Sequence, residues 1–212
     1  MEKTKQRIID AAIILFNTKG FDGTSVRELA KKANVNVGHI SYYFDNKAGL
    51  QEHLLSSFFD QYVSILEKVY KKMSTYTAKE CLLECVEKSM QFHRENRQLA
   101  RYVYRELTFD SILVREIMST YLTKEKYYFK AILEKGHKKK EFQVPSVLMA
   151  VMQLKSMIST PFLQSQYLAE VWHIMPYETS AVDQYEKVIV KWLEQSVFVE
   201  QEQQQQLERI AQ

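Results

Sequence analysis

Apolar residues recur along most of this chain at the three-and-four spacing of helices that bury one face. In the first segment Ile8, Ile9, Ala12, Leu15 and Phe16 form such a stripe, with Thr4 placed to cap its start and Gly20 to end it in a left-handed turn. Ser25 and Glu28 then stand at the spacing of a capping box, and Val26, Leu29, Ala30 and Ala33 supply the inner face of a second, short helix. Asn34 and Val35 make a tight connection, and Asn36 caps a third short helix through Gly38, Ile40 and Tyr43. Two short helices joined by such a turn make a helix-turn-helix.

The pattern continues as helix to the far end. A long fourth helix starts at Asp45 or Asn46 and carries Leu50, Leu54, Phe58, Tyr62, Ile65 and Val69 on one side. Thr77 caps a fifth with Leu82, Leu83, Val86 and Met90, a sixth covers 96–108, and a long segment runs over 110–135. Pro145 suits the first turn of a helix over 147–158, and Pro161 is expected to stop it. A short helix over 166–174 and a last one over 181–199 complete the series. The predicted fold class is all-α, with a three-helix helix-turn-helix domain at 1–46, a helical regulatory and dimerisation domain at 47–199, and a Gln-rich tail at 200–212 to which no function is assigned.

Composition narrows this without changing it. With 46% hydrophobic and 26% charged residues the chain is an ordinary globular protein. Five Gly and three Pro are too few for an all-β fold, which needs a turn every ~8–12 residues. The longest nearly unbroken apolar run, 147–154, is far shorter than the ~20 residues of a membrane span, and the start lacks an apolar targeting segment, so a cytoplasmic protein is expected. The formal charge of +3 resides in the first fifty residues, where eight basic side chains face five acidic ones. The remaining 21 basic and 21 acidic residues balance. Such asymmetry suits a polyanion-facing unit joined to a neutral body.

Enzyme chemistry has little to stand on. His39, His53, His93, His137 and His173 are dispersed, and neither a metalloprotease helix motif, a phosphate loop nor a nucleophile elbow is present. Cys81 and Cys85 lie four apart on one helix without a second ligand pair, which predicts plain packing. The expectation is no catalytic site, no cofactor and no metal.

The third helix carries the chemistry. Ile40, with Val35 and Phe44, faces a small core, which turns Val37, Gly38, His39, Ser41 and Tyr42 outward. In the major groove His and Ser can bond base edges, Val can touch a thymine methyl, and Gly38 lets the backbone approach closely. Asn36 opens this reading element. Tyr42 and Tyr43 carry hydroxyls suited to phosphates, Lys47 sits in the first turn of the next helix, and Thr24, Ser25 and Arg27 offer the same contacts from the second.

The run Ile8-Ile9-Asp10-Ala11-Ala12, Leu15-Phe16, Gly20-Phe21, Thr24-Ser25-Val26-Arg27-Glu28-Leu29-Ala30, Ala33, Val35, Gly38, Ile40, Tyr43-Phe44, Lys47 and Leu50 resembles the N-terminal domain of the TetR family. That resemblance implies an all-helical homodimer on palindromic double-stranded DNA, with a variable C-terminal part that often holds a small-molecule effector. Ser41 departs from it, since the family often has an aromatic residue there. Two late helices usually pair with their mates in a four-helix interface, and 147–158 and 185–198, with more apolar residues than one face needs, are the candidates.

A second constellation lies in the body. Arg94, Arg97, Arg101 and Arg105 fall on one helical stripe, with Glu106 beside it and Arg115 and Glu116 in the next helix. Either this is a solvated face of salt bridges, or Arg97, Arg101, Arg105, Glu106, Arg115 and Glu116 form a docking surface. The stretches 36–44, 97–106 and 110–126 resemble a branch of the family that regulates division in spore-forming bacilli. That resemblance implies a nucleoid-associated protein whose second partner is the tubulin-like division protein FtsZ. The competing expectation, a repressor released by a ligand, predicts a buried cavity within 80–175 lined by Phe92, Tyr102, Tyr121, Tyr128, Phe129 and several Met.

Overall fold

Helix α1 (Glu2–Lys19) begins two residues before the expected Thr4 cap, because Glu2 places a carboxylate at the positive end of the helix dipole and Thr4 continues the turn. It ends where Gly20 takes a φ of 79°, with the Gly20 N–H on Phe16 O. Helices α2 (Val26–Ala33) and α3 (Gly38–Phe44) follow, the first closed by the Ser25–Glu28 capping box and by left-handed Asn34. The computed structural model describes residues 2–175 and 178–199, so the Gln-rich tail lies outside the described residues.

The long α4 (Lys47–Lys71) starts at the Asn46 cap, whose side chain accepts from Ala48 and Gly49. Gly49 is obligatory there, since a Cβ would stand 2.1 Å from Phe44 O. Helix α4 buries more than the single predicted stripe, because Leu55, Phe59, Val63 and Leu66 are covered on a second side. A 3-10 turn leads to the Thr77–Glu80 capping box of α5 (Ala78–Glu95), and α6 (Arg97–Glu106) follows directly. The predicted segment over 110–135 is helical throughout but divided, into α7 (Ile112–Ile117), a π turn at 118–122, and α8 (Thr123–Lys138).

Helix α9 (Val147–Leu163) is capped by Ser146 and passes through Pro161 instead of stopping before it. Proline has no N–H for the carbonyl of Met157, and that carbonyl accepts instead from the Tyr185 hydroxyl at 3.0 Å. Helices α10 (Ser165–Val171) and α11 (Thr179–Ser196) complete the chain, and an antiparallel bridge between Phe142 and Phe198 ties the end of α11 to the loop before α9.

Two apolar clusters hold these helices. One gathers Ile8, Phe16, Leu29, Ile40 and Phe44 and reaches into α4 and α6 through Leu50, Leu54 and Tyr102. The other fills the body between α4, α5, α8, α9 and α11. Cys81 and Cys85 lie buried in it, where loss of water pushes both thiols up and leaves them unreactive.

Candidate nucleic-acid interface

The three short helices present α3 as an exposed rib. Ile40 and Phe44 are buried and Tyr43 is half-buried, whereas Val37, Gly38, His39, Ser41 and Tyr42 face solvent, as the spacing required. Tyr42 is 68% exposed and its ring meets Tyr43 edge-on. Asn36 does the capping expected of it: its Oδ1 accepts the Gly38 N–H at 2.8 Å, and its carbonyl accepts from His39.

The turn ahead of α2 departs from expectation. Thr24 is 1% exposed, and its hydroxyl donates to Gly20 O at 2.8 Å, so the side chain expected at a phosphate closes the turn after α1 instead. The Ser25 hydroxyl is exposed but accepts from the Glu28 N–H and donates to the Glu28 carboxylate, which is pulled down to about 2, first by Lys19 and then by Ser25. Arg27 is exposed. Lys47 is half-buried over the Phe21 ring and donates to the carbonyls of Phe21 and Thr24 at 2.9 and 3.0 Å. Two of its three protons therefore hold the turn. Sequence reasoning missed Arg7, whose guanidinium donates to Asn34 O between α2 and α3. Nothing in local spacing signals that contact.

Comparison with known proteins follows the same outline. The sequence model described as "Bacterial regulatory proteins, tetR family" matches residues 8–54, which hold α1 to α3 and the start of α4. The "Probable HTH-type transcriptional regulator YttP" of Bacillus subtilis is 49% identical over 195 residues, covering 92% of this chain and 94% of that protein. The chain belongs to the TetR family. A TetR-family regulator from Rhodococcus RHA1 superposes with a TM-score of 0.73 at 20% identity, covering 90% of this chain and 97% of that one. The ketosteroid transcriptional regulator KstR2 of Mycobacterium tuberculosis gives 0.73 at 15% identity, over 94% and 96%. These relatives are transcriptional regulators, not enzymes.

In this TetR-family body the arginine stripe is largely a row of tethers. Arg94 pairs with Asp183 of α11 at 2.9 Å, and Arg101 donates to Gln166 of α10 at 2.9 Å. Arg105 donates to Phe16 O at 2.6 Å and Asn17 O at 3.3 Å, closing the last turn of α1. Glu106 is largely buried, is bonded by Gln51, and has its carboxyl pushed up by burial. Arg105 and Glu106 thus join α1, α4 and α6, which leaves the Glu106 carboxylate largely covered. Arg97 and Glu116 are exposed, and Arg115 is exposed in a two-bond pair with Asp110.

Of the residues expected to line a ligand cavity, only Phe129, with Met152, borders a pocket among the described residues, an open one of about 220 Å³ between α8 and α9. Phe92, Tyr102 and Phe129 are packed in the cores, while Tyr121 stacks on Phe59 and Tyr128 lies against Tyr70. What occupies that region is a polar chain. The His93 Nδ1–H donates to Ser89 O at 2.6 Å, its Nε2 accepts from the Tyr104 hydroxyl at 2.5 Å, and Lys155 donates to Tyr104 at 3.1 Å and to Glu125. Burial opposes the charge on Lys155, but Glu125 and Tyr104 together outweigh it and raise its pKa. Among the described residues no cluster that could hold a metal and no helix long and apolar enough to cross a membrane is present.

Proposed function

We propose that this TetR-family regulator is a homodimer that reads palindromic chromosomal DNA through α3 and, like RefZ of sporulating bacilli, also restrains assembly of FtsZ at the division septum. The exposed row Val37, His39, Ser41 and Tyr42 carries the DNA reading, because it sets base-reading chemistry outward on a helix with a buried back. Residues 1–46 then act as the reading unit and 47–199 as the regulatory and dimerising one. Asn36 and Gly38 start the reading helix, while Arg27, Tyr43 and Lys47 serve phosphates. Exposed Leu148, Met149 and Met152 on α9 and Val188 on α11 support dimerisation there.

The FtsZ reading rests on the sequence likeness of 97–106 and 110–126 and on the exposed Arg97, Arg115 and Glu116, with half-buried Arg101 beside them. Its test is sedimentation of polymerising FtsZ with the full chain, alone and with palindromic DNA. Inhibition that Arg101→Glu or Arg115→Glu removes, with DNA affinity intact, supports it. Loss of DNA affinity in the same variants would show that the surfaces are not separate.

A second reading, a repressor released by a small molecule, is supported by an open cleft of about 720 Å³ between α1, α6 and α10. Equilibrium DNA binding with and without a bound small anion tests it.

A further inference from the structure

Beside the end of α4 that lies farthest from the reading helices, residues 135–140 hold four Lys and His137 without a carboxylate. The fold fixes this turn in place. Lys135 donates to the carbonyls of Met73 and Tyr76, which pins the end of α8 to the end of α4. Phe142 is buried and stacks on Phe198 with ring centroids 5.3 Å apart, and the Glu141 carboxylate accepts the Lys79 N–H at 3.0 Å. Lys79 of α5 thereby joins Lys138, Lys139 and Lys140. All four are exposed and form no ion pair among the described residues.

Basic residues in the last turn of a helix ordinarily offset its dipole, but the carbonyls at the end of α8 already have donors. Lys139, Lys140 and Glu141 give their backbone N–H groups to the carbonyls of Lys135, His137 and Gly136. The neighbouring carboxylates are also taken. Glu134 pairs with Lys130, Glu67 with Lys71 and Glu84 with Lys72, while Glu80 closes the Thr77 capping box. Glu200 and Glu202, next in sequence after Val199, offset part of the charge without cancelling it.

The surroundings indicate what kind of anion the turn meets. The N-terminus of α5, the feature that would grip a single phosphate, is filled by the carboxylates of Glu80 and Glu141. The turn offers lysine point charges without an arginine fork, at a helix end and not along a groove that could follow a nucleic-acid strand. Tyr76, 44% exposed beside it with Lys72 over its ring, supplies an amphipathic ring of the kind found at headgroup level. Diffuse positive charge with an aromatic rim fits a plane of anionic headgroups. We propose that this lysine turn docks the protein on an anionic phospholipid membrane. The surface is additional to α3 and to the arginine stripe, and it does not depend on what either of them binds.

Co-sedimentation of the full-length protein with vesicles of phosphatidylglycerol and phosphatidylcholine in equal parts tests this at about 0.1 M salt, against vesicles of phosphatidylcholine alone. Binding to the first, reversed by added salt, and none to the second are expected. Changing Lys138, Lys139 and Lys140 together to Gln should lower the partition coefficient about a hundredfold, at about fivefold per lysine. Lys31→Gln with Lys32→Gln removes two exposed lysines from the end of α2 and should leave it within about twofold. The 25 residues of α4, about 37 Å, separate the two ends by several screening lengths. Circular dichroism melts identify any variant that fails to fold, and Lys139→Glu alone, expected to cost about thirtyfold for two units of charge, keeps the test open. No binding by the unaltered protein, equal binding by the folded triple variant, an equal loss in the Lys31 and Lys32 variant, or binding to phosphatidylcholine alone would each overturn the proposal. Affinity for a DNA duplex of unrelated sequence should survive the triple change, and a loss matching that on vesicles would mean that the turn faces nucleic acid instead.

Discussion

His93 commits both ring nitrogens inside the helical body, and this makes its protonation costly there. Burial, followed by the Lys155 charge, pulls its pKa down to about 3, while the unfolded imidazole titrates near 6.5. Below about pH 6.5 the unfolded chain therefore takes up a proton that the native chain refuses. The stability this group contributes is whole above that pH and is lost as pH falls toward 3, by up to about 1.4 kcal/mol per pH unit. His93→Gln should be less stable near neutrality yet lose less stability on acidification, as urea midpoints at neutral and mildly acidic pH will show; parallel losses would refute the assignment. Tyr42 and Thr24 separate reading from folding in the same way. Tyr42→Ala should cost no more than about 1 kcal/mol, the worth of its edge-on contact with the Tyr43 ring, and change DNA sequence preference, because the rest of the ring is exposed. Thr24→Ala should cost about 1 kcal/mol and leave the salt dependence of DNA binding as it was, because the hydroxyl serves Gly20. Fluorescence anisotropy across a salt series checks both.

Among the elements, α9 shows how a residue pattern is overridden. Proline inside a helix leaves a carbonyl without its donor, and the helix continues only if another donor replaces it. The Tyr185 hydroxyl is that donor. Tyr185→Phe is expected to cost about 1–2 kcal/mol. With Pro161→Ala already in place the cost should shrink, because an alanine there brings its own N–H to Met157. A double-mutant cycle by denaturant titration measures the difference, and strict additivity would mean the hydroxyl does not replace the missing donor. At the other end of the chain, α2 and α3 show the opposite case. Their caps, stripes and connection all follow from near neighbours, and the structure reproduces them.

For the molecule as a whole, the apolar residues left uncovered on α9 and α11 are the unresolved feature of a single chain. Leu148, Met149, Met152 and Val188 are each about half exposed, at 49%, 53%, 57% and 59%. Carboxylates at Met152 and Val188 should leave the fold of one chain nearly unchanged and shift the protein from dimer to monomer. Light scattering after gel filtration measures this, and affinity for a palindrome should fall with it because the two reading helices lose their fixed spacing. A variant that stays dimeric would place the interface elsewhere. The tethers of α6 belong to this scale too. Arg105 on the end of α1 and Glu106 with Gln51 of α4 fasten the reading helices to the body, and the two apolar clusters share α4 and α6.

The sequence by itself determined whatever depends on partners three or four positions away. The all-helical class, the Ser25–Glu28 box, the Gly20 stop, the buried side of α3 and its exposed row were all legible from spacing, since a helix brings those positions together wherever it occurs. Tertiary structure alone decided which polar groups remain free to act. Lys47 finds Phe21 O 26 positions back, Arg105 finds Phe16 O 89 back, and Tyr185 finds Met157 O 28 back. From sequence Lys47 reads as available to an anion and Arg105 to a partner, and nothing near Tyr185 signals its bond. Each is instead bound to a backbone carbonyl that only the folded chain brings within reach, because a carbonyl removed from water must be satisfied by whichever donor the packing places beside it.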